Sequence, residues 1–121
     1  MSMEAFDTQE GQNLNQWRSL LEKILGDYAK LPYRYGNVVT YLVVSQDCNH
    51  FLLMQEGWEE NQRVHGCLVH AEIRNQKIWI HYDGIEGGIA NELTELGVPK
   101  DHIVLAFHAP TVRQYTGYAI D

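Results

Sequence analysis

The hydrophobic period changes once along this chain, and the change restricts the fold to a helix followed by a sheet. Leu14, Trp17, Leu20, Leu21, Ile24, Leu25, Tyr28 and Leu31 recur at steps of three and four, which draws one apolar stripe along a helix. Asn13, with Gln16 three residues on, resembles a capping box at its start, and Pro32 ends it by disfavouring helical geometry at Leu31. After YRYG, read as a turn, β-branched and aromatic residues take over with period two.

That second pattern predicts strands over 38–45, 50–58, 64–74 and 77–83, with a tight turn at Asn75 and Gln76. Short hairpin loops make such strands antiparallel neighbours. Alternation assigns Ile78, Ile80 and Tyr82 to one face and Lys77, Trp79, His81 and Asp83 to the other. The first strand is apolar on both sides. It reads as central, or as covered by helices on one face and a partner on the other. Ile85, Ile89, Leu93 and Leu96 then return to helical spacing, with Asp83 or a neighbour as N-cap and Glu86 favourable near the positive end. Gly97, Val98 and Pro99 mark its end as a Schellman motif. HIVLAF reads as a further strand and Pro110 as the opening of a short helix. The order is α-β-β-β-β-α-β-α, an α+β fold in which an antiparallel meander sheet packs with an N-terminal helix and C-terminal helices.

A chain of 121 residues is the size of one domain, expected over 14–121 behind a flexible N-terminal extension over 1–13. Nine basic and sixteen acidic residues leave a net charge of -7, and no two basic residues are adjacent, which opposes direct DNA binding. Cys48 and Cys67 lack a CxxC spacing and fit reduced thiols, no apolar run is long enough to span a bilayer, and the polar N-terminus is unlike a signal peptide. These features together predict a cytoplasmic protein.

The six histidines (His50, His65, His70, His81, His102 and His108) are not spaced as metal ligands, since His65 and His70, five apart on a strand, would face opposite ways. No cofactor or metal is expected. Cys67 falls mid-strand among apolar neighbours, the setting of an inert thiol, and no nucleophile elbow is present. Asp83, Glu86, His108 and Arg113 stand at element ends, where functional groups gather. For Asp83 and Glu86 the alternative role is capping a helix. Gly84, Gly87 and Gly88 lack the spacing of a phosphate loop. Trp58, flanked by Glu56, Glu59 and Glu60, and Trp79, read either as partly exposed or as core packing under a helix, are candidate anchors for a protein partner, with Arg63 a further candidate contact. An exposed edge strand would also favour a homodimer.

Six phrases in order carry a resemblance: LPYRYG at 31–36, FLLMQEGW at 51–58, RVHGCLVHAEI at 63–73, KIWIHYDGIEGGIANEL at 77–93, GVPKDHIVLAFHAP at 97–110 and VRQYTGYAI at 112–120. From about residue 17 onward the chain resembles the XisI family, the fdxN element excision controlling factors of filamentous cyanobacteria. The resemblance implies an α+β factor tied to programmed excision of a DNA element during heterocyst differentiation, alongside a recombinase and a nuclease-like companion, XisH. It implies control rather than strand cleavage, and supplies no catalytic residues. Binding an XisH-like protein is the leading expectation. A DNA-binding directionality factor and a small enzyme using Asp83, His108 and Arg113 are the alternatives.

Overall fold

The computed structural model describes residues 2–32 and 37–121, with side chains from Asn13 onward. The turn expected at 33–36 lies outside the described residues. Helix α1 spans Ser2–Lys30, followed by β1 (Asn37–Val44), β2 (His50–Glu59), β3 (Gln62–Arg74) and β4 (Lys77–Asp83). Then come α2 (Ile89–Glu95), a 3-10 turn (Lys100–His102), β5 (Ile103–Leu105) and α3 (Pro110–Arg113). Because α1 begins at Ser2, Asn13 sits inside it and forms no cap. The extension expected over 1–13 falls within the first turns of α1, mostly ahead of the described side chains.

The sheet runs in the order β1-β2-β3-β4-β5. The first four strands form the expected antiparallel meander, but β5 is parallel to β4. Its direction follows from α2, since a helical crossover brings the chain back to the same end of the sheet. Among the described residues β2 alone borders β1, so β1 is an edge strand and not a central one, and α1 covers one of its faces, as the second of the two readings had it. Trp17, Leu21, Ile24 and Leu25 of α1 join Phe51, Leu53, Val69, Ala71, Ile78 and Ile80 of the sheet in one core with Ile89, Leu93 and Ile103. The Arg18 guanidinium ties α1 to the β1–β2 turn, donating from Nε to the Cys48 carbonyl (3.0 Å) and from Nη2 to Asn49 Oδ1 (2.8 Å).

Two bulges revise the strict alternation expected of the strands. Leu53 pairs with Val69 but Met54 pairs with Cys67, so Leu68 is an extra residue in β3. Every side chain before it changes face relative to those after it. His65 and His70 therefore stand on the same face, not on opposite ones. In β4 the extra residue is His81, between the Ala71–Ile80 and His70–Tyr82 pairs. Tyr82 is consequently turned out, 53 % exposed, rather than joining Ile78 and Ile80 in the core. Asp83 is turned in, opposite Val69, and leaves the face of Lys77 and Trp79.

The inward turn makes Asp83 a cap at a distance. Its Oδ1 accepts the Ile85 amide (3.1 Å) and its Oδ2 accepts the Ile89 amide, the first of α2, at 2.8 Å. The helix begins at Ile89, later than the apolar spacing from Ile85 indicated, so Glu86 lies in the preceding loop and is exposed. The end of α2 is a Schellman motif: Val98 N–H donates to Leu93 O, Gly97 N–H donates to Thr94 O, and Gly97 has φ of 102°. Asn75 and Gln76 both take positive φ, 51° and 62°, which a two-residue hairpin turn of this hand requires.

Candidate functional site

Helices α1 and α2 pack on one face of the sheet, and the register sets what is left on the other. Val39, Tyr41 and Val43 of β1 line up with Glu56, Met54 and Leu52 of β2. Val39 is 61 % exposed and Trp58, on the same face, 50 % exposed. Trp58 pairs directly with Arg63, whose guanidinium lies 5.4 Å from the ring centroid and 3.7 Å from a Glu56 oxygen. The result is a half-exposed aromatic with a cation over it and the Glu56 carboxylate beside that cation; the sequence singles out Trp58 and its acidic neighbours, and the strand register adds Arg63.

Further along the same face, side chains from three strands meet. His50 faces Glu72 across a pair without mutual backbone bonds, where side chains approach most closely, because the neighbouring bond runs from Ile73 N–H to Asn49 O. His81 Nε2 is 2.8 Å from Glu72 Oε1, His50 Nε2 is 3.5 Å from Glu72 Oε2, and His50 Nδ1 is 3.0 Å from His70 Nε2. One assignment of tautomers satisfies all three contacts. His81 donates to Glu72, His70 donates to His50 Nδ1, and the remaining N–H of His50 points to Glu72. Among the described residues no group of three or more His, Cys, Asp or Glu is placed to hold a metal ion. The two nitrogens of His50 are committed to different partners, so the cluster is a hydrogen-bonded chain rather than a ligand set.

Residue-by-residue reading of the sequence missed this cluster. Its signal lay in strand pairing, which brings residues 20 and 9 positions apart together, and in the His81 bulge. Burial, then the neighbouring His81 and His50, hold the His70 imidazole below the ordinary value of 6.5, with Glu72 opposing. A histidine that binds its proton less tightly folded than unfolded costs stability as acid is added. Stability is therefore expected to be fully present above the ordinary value and to fall as pH drops through it toward the lower folded one. Urea titrations across that window should show the loss, with a shallower slope in His70→Gln. Parallel slopes for the two proteins would exclude His70 as the origin.

Trp79 is 7 % exposed, not an open anchor. Arg74 and Arg113 place their guanidinium carbons 4.5 Å and 5.7 Å from its ring centroid, and its indole N–H donates to Arg74 O. Arg113 also donates to the His108 and Ala106 carbonyls at 3.0 and 3.2 Å, which fixes the segment after β5 over this end of the sheet. Trp79 and Arg113 thus come together with the His108 backbone. Asp83 caps α2 on the opposite side of the sheet and Glu86 lies in the loop before it, so the residues considered for catalysis do not converge. Burial pushes the Cys67 thiol above its ordinary 9.0, outweighing the opposing hydrogen bond with Val69 O, which leaves little thiolate at neutral pH.

On the helix side, a groove of about 370 Å³ between α1 and α2 is lined by Ile24, Tyr28 and Leu96 together with the carboxylates of Asp27, Glu92 and Glu95. Tyr28 O–H donates to Glu92 there (3.1 Å), and burial followed by the Glu92 carboxylate raises the phenol above its ordinary value. Among the described residues no helix is long and apolar enough to cross a membrane.

A family model described as XisI protein matches residues 12–120. Among solved structures, a XisI-like protein from Anabaena variabilis ATCC 29413 superposes with a TM-score of 0.82 at 33% identity, over 89% of this chain and 99% of that one. The fdxN element excision controlling factor XisI from the same organism superposes with a TM-score of 0.76 at 29% identity, over 90% of this chain and 99% of that one. No curated protein matches the sequence.

Proposed function

The chain belongs to the XisI family, and from that premise we propose that it is a non-enzymatic factor controlling excision of a DNA element by binding a protein of the XisH-like kind. A related solved structure is itself an excision controlling factor. The observation that carries the reading is the open sheet face, where Trp58 stands half exposed under Arg63 beside Glu56, with Val39 and Tyr41 as apolar neighbours. An amphipathic ring over a charged rim is the composition of a binding hot spot. The net charge of -7 favours a basic protein over a nucleic acid as the ligand. On this reading the protein acts in the cytoplasm of a cyanobacterium during heterocyst differentiation.

Co-expression with the XisH-like companion should give a complex that survives purification. Trp58→Ala is expected to weaken it about thirtyfold, the loss of one aromatic anchor of about 2 kcal/mol. Absence of a complex with the wild-type chain would remove the proposal. Binding to element-end DNA alone, falling steeply with salt, would transfer the role to direct DNA contact.

A further inference from the structure

We propose that β1 is a dimerisation strand that pairs antiparallel with β1 of a second copy of this chain about a two-fold axis at Tyr41, joining two sheets into one. Among the described residues β1 has a neighbour on one side only. Its eight residues, NVVTYLVV, contain no charge and no proline, and its pairing with β2 is without a bulge. Charges, prolines and bulges are the means by which edge strands resist pairing, and this edge has none of them. The opposite edge is treated differently, since β5 is three residues long and Ala119 bridges to Val104 beside it.

The backbone phase selects the register. Ser45 N–H donates to His50 O, which places the β2-directed groups at Ser45 and then at every second residue back along β1. The amides and carbonyls of Val38, Thr40, Leu42 and Val44 therefore point away from β2, toward the free edge. With the axis at Tyr41, Val38 meets Val44 of the second copy and Thr40 meets Leu42, so all four outward residues find backbone partners. Tyr41 meets Tyr41, and Val39 meets Val43, at the intervening positions where side chains lie closest.

The segment VVTYLVV reads nearly the same in both directions from Tyr41, so the two-fold axis sets an uncharged residue of similar shape opposite nearly every position. A chain of charge -7 repels its own copy. The edge strand itself carries no charge that would add to that repulsion. Both copies keep their open faces on the same side, so the surface assigned above to the companion is doubled.

Sedimentation of the full chain at micromolar concentration should give twice the 14.0 kDa monomer. Thr40→Pro removes an outward amide that β2 does not use, as edge strands tolerate, and should yield a folded monomer by circular dichroism. In a Cys48→Ser, Cys67→Ser background, Tyr41→Cys should cross-link to itself on oxidation, because paired Cα atoms about 4.5 Å apart suit a disulfide. Thr40→Cys should not. A monomeric wild type, or a Thr40→Pro protein that folds and stays dimeric, overturns the proposal. Should Thr40→Pro fail to fold, the cysteine pair decides: cross-linking at Tyr41 alone upholds the axis, and its absence refutes it.

Discussion

Gly57→Ala should be among the most destabilising single substitutions in the sheet, costing at least about 3 kcal/mol and lowering the melting temperature by about 10 °C. Gly57 has φ of +155° and pairs with Val38. A methyl group built on it would overlap the Asn37 carbonyl oxygen and lie 2.7 Å from Val38 Cα. Both obstacles are backbone atoms of β1, which cannot rotate aside as a side chain would. The strand must shift or separate from β2 over its first residues. Amide exchange should accordingly speed up in 37–44 before it does elsewhere. Gly66, where an added Cβ meets nothing within 4 Å, is the control: Gly66→Ala should change stability by no more than about 0.5 kcal/mol. Equal effects at the two positions would show that close approach at Gly57 is not what holds β1 in place.

What was legible from the sequence divides along local and non-local lines. Element order, the Asn75–Gln76 turn, the Schellman end of α2 and the opening of α3 at Pro110 all follow from residues within a few positions of each other. Trp58 stands out in the sequence as an anchor, while its pairing with Arg63 emerges only from the register of the hairpin. Misreadings began where one inserted residue changes everything downstream. Nothing in the composition of β3 or β4 announces the extra residues Leu68 and His81. Yet each moves its neighbours to the other face, and together they decide that His65 joins His70, that Tyr82 is wet and that Asp83 reaches α2. For Trp79 the sequence leaves exposure and burial open, and the structure decides for burial, with cover from Arg74 across the hairpin and from Arg113, far along the chain. The edge position of β1 depended on where the last strand inserted, and an apolar strand reads alike at the centre of a sheet and at a self-pairing edge.

Phe51→Ala tests the buried face of β2. Phe51 is fully buried and lies between Val44 on β1 and Ala71 on β3. A small residue directly opposite a large one is how facing positions fill space without strain. Truncating Phe51 is expected to cost about 3–5 kcal/mol, part lost transfer energy and part unfilled cavity. Ala71→Leu alone should cost about 1–3 kcal/mol by crowding the ring. If the two side chains share one space, the double variant will be less destabilised than the sum of the singles, and denaturant titration of all four proteins measures the difference. Simple additivity would mean that they do not compete for volume. The same titrations repeated on the acid side separate core from cluster. His50 and Leu52 project from the opposite face of β2, so Phe51→Ala should lower stability at every pH while leaving intact the acid slope assigned to His70.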